Sequence, residues 1–193
     1  MTSHRQSPAA LPRMLAVLGA AAAIVAGSSV FGALADKTAS RIRFTAMQQD
    51  VAVDGEFRQF SADVDFDPAR PGAGRVNLVI DVASVATGNG EADAMLRGKD
   101  FFDAAHYPQA TFVARAISPA GPGHFQASGQ LTLKGRSRDI VVPFAAAGDQ
   151  GGLRIDGTVP VSRLAYRIGE GEWADTGTLA DLVPIRFSLV VPR

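Results

Sequence analysis

Along most of the chain, apolar and polar residues alternate one for one. In RVNLVIDV, Val76, Leu78, Ile80 and Val82 fall on one side and Arg75, Asn77 and Asp81 on the other. In HFQASGQLTLK, Phe125, Ala127, Gly129, Leu131 and Leu133 oppose Gln126, Ser128, Gln130, Thr132 and Lys134. LRIDGTVPVS aligns Leu153, Ile155, Gly157, Val159 and Val161, and PIRFSLVV aligns Ile185, Phe187, Leu189 and Val191. RIRF, DVDF, TFVARAI and DIVVPF are shorter runs of the same kind. A period of two belongs to a strand with one wet and one apolar face, so the spacing predicts about eight strands. The Pro- and Gly-rich joints DPARPGAG, SPAGPG and GDQGG read as turns between them. There is no internal repeat, so the strands form one domain.

Strands that each carry one apolar face must bury those faces against one another, in a sandwich or a closed barrel. Closure also removes exposed sheet edges. The inward positions mix large and small side chains (Phe125, Ala127, Gly129, Leu131), and a barrel of about eight strands can hold one small ligand. Periodicity alone leaves a plugged interior and a hollow one both open. The predicted fold is all-β and antiparallel, a sandwich or an extended barrel, with one short helix.

That helix is predicted in NGEADAMLRGKDFF, which lacks β-branched residues and sets Ala92, Met95, Leu96 and Phe102 near helical spacing. Asn89-Gly90 would start it, and Gly98 or the His106-Tyr107-Pro108 turn would end it. A second irregular stretch, GEGEWADTGTLAD, carries the single tryptophan, Trp173. Both lie between strands, which places them at barrel ends, where lids are built.

The N-terminus follows other rules. Arg5 and Arg13 precede a run without charge from Met14 to Ala35, and Ala33 and Ala35 stand at signal-peptidase spacing before Asp36. Residues 1–35 are therefore expected to be a cleavable signal peptide that exports the domain, residues 36–193. The uncharged run is also long enough for an uncleaved anchor, although its Ala and Gly content counts against spanning.

Composition narrows the chemistry. A hydrophobic content of 47% supports a real core, and a formal net charge of zero argues against nucleic acid as a partner. The absence of cysteine excludes disulfides, thiolate metal sites and thiol nucleophiles. In GKDFFDAAHYPQATF, His106 beside Asp100 and Asp103 has the residue types of a general-base pair. Its nearby nucleophile candidates, Thr111, Ser84 and Thr87, lack a G-x-S-x-G elbow, so His106 reads as a turn residue. His106 and His124 have no carboxylates at ligand spacing, and Glu170, Glu172, Asp175 and Asp181 lack the order of a calcium loop. GNGEAD lacks the third glycine of a dinucleotide site. No catalytic residue, metal or cofactor is predicted.

Four segments carry a resemblance: ASRIRFTA, VDGEFRQFSADVDFDP, IDVASVATGNGEADAMLRGKDFFDAAHYPQATF and GQLTLKGRSRDIVVPF. In content and order they resemble the YceI family, and SRLAYRIGEGEWADTGTLADLVPIRFSLV is similar to one branch of it. The resemblance runs from about Ser40 to Val191. It implies a lipocalin-like barrel with a helix over one end, export to the periplasm, and a long apolar tunnel for a polyisoprenoid or a prenylated quinone. It also implies pairing into homodimers and a place near respiratory or stress systems. One alternative is an accessory of such a system, a quinone-loaded carrier or a docking partner for a membrane cytochrome. This chain reads Met47, Gln48 and Gln49 where many members carry a histidine, so no role of that histidine transfers.

On this reading the tunnel wall is Phe44, Phe66, Leu78, Ile80, Phe112, Phe125, Leu131, Leu133, Phe144, Ile155 and Phe187. Leu96, Phe101 and Phe102 form the cap, with Arg163, Trp173 and Asp175 beside a ligand head group at the mouth. An enzyme acting on a lipid head group at that mouth is the alternative from another class.

Overall fold

The computed structural model describes residues 33–149 and 152–192. In chain order the elements are β1 (Ala33–Leu34), β2 (Arg41–Gln48), β3 (Val51–Phe57), β4 (Phe60–Asp65), β5 (Arg75–Asp81), β6 (Val85–Ala86), α1 (Gly90–Arg97), β7 (Gln109–Gly121), β8 (His124–Leu133), β9 (Arg136–Asp149), β10 (Gly152–Ser162) and β11 (Leu182–Val191). The strands form one sheet in the order β1-β4-β5-β7-β8-β9-β10-β11-β2-β3-β6, and every pairing is antiparallel.

The expected all-β antiparallel fold is present, with eleven strands rather than about eight. The additions have physical reasons. β1 and β6 are two residues each, too short to carry a period. β3 follows a turn in which Gln49 and Asp50 both take positive φ (47° and 64°) without a glycine to mark it.

The sheet curls until its margins meet. At one margin the Arg58 amide donates to the Ser84 carbonyl (3.2 Å) and the Asp81 amide to the Gln59 carbonyl (2.9 Å). Elsewhere the Ala35 amide donates to the Ala62 carbonyl (2.9 Å), and the Asp36 amide to the Val190 carbonyl (2.7 Å). Residues 33–36 thus fill a seam between β4 and β11, with Ala35 buried in the core. Most of the expected signal peptide lies outside the described residues. The expected cleavage point, between Ala35 and Asp36, falls inside this seam.

The inward phases follow the predicted alternation, with one shift. A bulge between Ala114 and Ala116 moves β7 by one residue, so the buried series Ala110, Phe112, Ala114 continues at Ile117. The wall is thinned where glycine faces phenylalanine. Gly55 pairs with Phe44 and Gly157 with Phe187, and each ring lies over the bare backbone opposite. A Cβ at either glycine would overlap the ring.

The wall also splits. The β9–β10 ladder runs from Gly152↔Asp149 to Gly157↔Phe144 and stops. Beyond it, β9 stays with β8 as far as Leu133↔Arg136, and β10 stays with β11 as far as Ser162↔Leu182. Pro143 and Pro160 stand just past the last rung, and neither has an amide to donate.

The Gly–Phe pairs give a direct test. Gly55→Val should displace the Phe44 ring and lower stability by about 1–3 kcal/mol. A fall in the urea midpoint with an unchanged m-value would show it.

Candidate ligand cavity

The two ends of the barrel are closed differently. At the end away from α1, Phe66, Phe125 and Phe144 form a three-ring plug, with centroids 5.0, 5.4 and 5.6 Å apart. At the other end lies a lid made of two loops. α1 begins as predicted at Asn89, whose side-chain oxygen accepts from the Glu91 and Ala92 amides (2.9 and 3.2 Å), and it ends at Gly98. The loop that follows tucks Phe101 inward (4% exposed) and rests its ring on Trp173, centroid to centroid 5.6 Å. The Gly169 amide donates to the Asp100 carbonyl (2.7 Å), joining this loop to the segment between β10 and β11. Lys134 clasps both, its Nζ donating to the Lys99 and Arg167 carbonyls at 2.8 Å each.

Arg163 organises the second loop. It is 3% exposed and has five N–H groups, and the structure gives it five main-chain acceptors: the carbonyls of Ala180, Ile168, Gly169, Trp173 and Leu179. Burial pushes the guanidinium pKa down and the charge of Asp181 pushes it back up. Among the described residues no carboxylate touches it; the ring of carbonyl dipoles takes the place of a counter-ion.

Between plug and lid lies a cavity of about 200 Å³. Of the predicted residues, Phe44, Phe66, Leu78, Ile80, Phe112, Leu131, Leu133, Phe144, Ile155 and Phe187 line it, and Leu96, Phe101 and Phe102 close it from the lid side. Arg163 is the one polar side chain on its surface. A water molecule needs two to four polar partners, and this lining offers no free one. The interior is therefore a dry apolar space.

Four expectations need correction. Phe125 belongs to the plug, where it packs against Phe66 and Phe144 and does not line the cavity. Trp173 backs Phe101 from outside the cavity and lends its carbonyl to Arg163. Arg163 has no donor left for a head group. The Asp175 carboxylate serves its own turn, accepting from the Gly177 amide (3.1 Å) and the Thr178 hydroxyl (2.9 Å); those bonds hold its pKa below the usual carboxylate range.

Sequence reasoning also omitted cavity residues. Phe57 and Val183 line it from stretches with weak alternation, and Ile42, Ala127 and Val142 were in phase with residues that were named but were themselves omitted. The catalytic candidates are elsewhere. His106 and Asp103 do pair (2.8 Å), but the imidazole side chain is 76% exposed on the outer surface of the lid loop. Ser84 donates to the Asp81 carbonyl (2.6 Å) and Thr87 to the Asp93 carboxylate (2.7 Å), so both hydroxyls shape turns.

A curled antiparallel barrel with a dry apolar cavity and a looped lid defines a class of small barrels built to enclose apolar molecules. Within that class, this chain belongs to the family described as the YceI-like domain, whose model matches residues 34–191. Among solved structures it is similar to BcnA of Burkholderia cenocepacia, at 41% identity and a TM-score of 0.80 over 81% of this chain and 99% of that one. It is also similar to the YceI protein of Campylobacter jejuni, at 28% identity and a TM-score of 0.67 over 73% of this chain and 85% of that one. A polyisoprenoid binding domain from Saccharophagus degradans shares the fold at 19% identity, with a TM-score of 0.65 over 84% of this chain and 99% of that one. A UPF0312 protein of Shewanella oneidensis is 34% identical over 95 residues, 49% of this chain and 50% of that one. The chain thus spans about half the length of the curated relatives it matches.

Arg163 carries a prediction. Arg163→Leu would leave five inward carbonyls without donors, and stability should fall by about 3 kcal/mol or more. Hydrogen exchange should speed up across residues 163–181 first, while the ladders of β7 and β8 keep their protection.

Proposed function

We propose that this protein binds a lipid with a long apolar chain, of polyisoprenoid or prenylated-quinone type, in the barrel cavity, and that it carries or sequesters that lipid after export to the periplasm. The observation that carries this reading is the cavity itself, open in volume and apolar throughout except for one fully bonded guanidinium. Each methylene buried there contributes about 0.8 kcal/mol, so an apolar chain gains affinity without specific polar contacts. The Saccharophagus degradans domain of the same fold, described as polyisoprenoid binding, supports the ligand class, and the uncharged N-terminal run supports export. The reading is one of binding rather than catalysis: the catalytic candidate His106 sits exposed on the outer surface of the lid loop, away from the cavity.

Native mass spectrometry of protein purified from its own cells, followed by organic extraction, tests the reading. A stoichiometric prenyl lipid or quinone is expected; a stably folded protein that is empty and takes up no such lipid would overturn it. Ala127→Phe, which fills the cavity from the wall, should weaken lipid uptake about tenfold or more while the far-ultraviolet spectrum stays that of a β-barrel. His106→Ala should leave uptake unchanged. Loss of turnover of a bound lipid in that variant would favour the enzyme instead.

A further inference from the structure

The alternation that lines the cavity does not end with apolar residues. On β9 the inward series Phe144, Val142, Ile140 continues through Arg138 to Arg136. The pairing confirms the face: Arg138 stands opposite Leu131 and Arg136 opposite Leu133, and both leucines line the cavity. Directly paired residues share a face, so both arginines leave the wall in its inward phase at the lid end, Arg136 half-buried and Arg138 emerging exposed beyond the cavity lining. This is also where β9 and β10 have parted.

Neither arginine meets a carboxylate among the described residues. The neighbouring Asp139 points outward and is taken by Arg115 (3.2 Å). Arg138 donates through Nε to the Ala165 carbonyl across the split (2.9 Å), which leaves its terminal nitrogens without a protein acceptor there. Beside it lies Tyr166, 2% exposed, whose hydroxyl has no hydrogen-bond partner. Arg138 bonds the carbonyl of the residue that precedes Tyr166; burial raises the Tyr166 pKa and the Arg138 charge lowers it. A buried hydroxyl without a partner is destabilising, and an arriving acceptor would relieve that cost.

The geometry points to an anion site at the β9–β10 split, formed by Arg136, Arg138 and the Tyr166 hydroxyl, that holds the oxyanion head of an amphiphile whose chain lies in the cavity. The inference rests on the proposed lipid function and names the head-group class of the cargo. It follows by elimination as well as by placement. Arg163 spends every donor on carbonyls, so the interior cannot bond a head group. An anionic head must stay at a boundary, and the split is the boundary where two cations have no carboxylate among the described residues.

The test compares geranylgeranyl phosphate with geranylgeraniol on delipidated protein, each titrated by native mass spectrometry, with inorganic phosphate as a third probe. The phosphate ester should bind about tenfold more tightly or better than the alcohol, since bonds to charged groups are the strong ones. Arg136→Gln with Arg138→Gln should remove that preference and leave alcohol binding intact; Tyr166→Phe should reduce it in part. Inorganic phosphate alone should fail to saturate the site, because the chain supplies most of the affinity. Equal affinity for ester and alcohol, or a preference that survives the double substitution, overturns the inference. Saturable binding of inorganic phosphate overturns the amphiphile and leaves a free-anion site. If neither prenyl compound binds, the lipid function itself fails, which is a different result.

Discussion

A barrel that keeps its interior open gives up the packing that stabilises most domains, and the rest of this structure is arranged around that loss. An unfilled cavity of 200 Å³ forgoes about 5 kcal/mol, comparable with the whole net stability of a modest domain. Water cannot offset this, because the lining has no free polar group to hold it. Stability has to come from the wall and the two ends. The wall supplies continuous antiparallel ladders; the plug supplies three phenylalanines in edge and stacked contact. The Gly–Phe pairs serve the same end, because a ring laid over bare backbone covers the wall from inside without filling the space.

The lid poses a harder problem. A loop that covers an apolar cavity turns some carbonyls inward, where neither a ladder nor solvent can satisfy them. Arg163 answers five of these with one side chain. A lysine has three donors on a point charge and could not span acceptors from Ile168 to Ala180; the planar fork of arginine can. That explains a buried cation without a carboxylate. Its role is to fold a loop that has no regular structure of its own, and it is unavailable to a ligand for that reason.

Much of this was legible in the chain. The period of two placed the main strands and most of the wall, because a side chain's face in a ladder depends only on its parity. The Asn89 cap and the Gly98 stop were equally readable, being local chemistry. The bulge at Arg115, the Gln49–Asp50 turn and the two-residue strands were not, since they depend on how distant segments meet. The mouth was misread for the same reason. Arg163 and Trp173 fall in the right loop, but sequence cannot show that the donors of one are exhausted or that the other stands behind Phe101. Arg136 and Arg138 carried a usable signal, two cations in the inward phase of a strand, and it was hidden because charged residues there read as the end of the strand.

The wall has two discontinuities, and they are not equivalent. The seam between β4 and β11 is filled by residues 33–36, whose amides bond to both sides and whose Ala35 is buried in the core. Loss of Ala33–Ala35 would strip β4 of those partners. The β9–β10 split has no such filler, because Pro143 and Pro160 withhold the amides that would extend the ladder. Admitting a chain through the lid means breaking the Arg163 fan, several charge-assisted bonds at about 1.5–3 kcal/mol each. Parting the split means breaking two bonds, from Arg138 to Ala165 and from Lys134 to Arg167, and moving Tyr166, whose hydroxyl has no partner among the described residues. On those magnitudes the split is the weaker part of the enclosure, and it is where the inward phase of β9 carries Arg136 and Arg138.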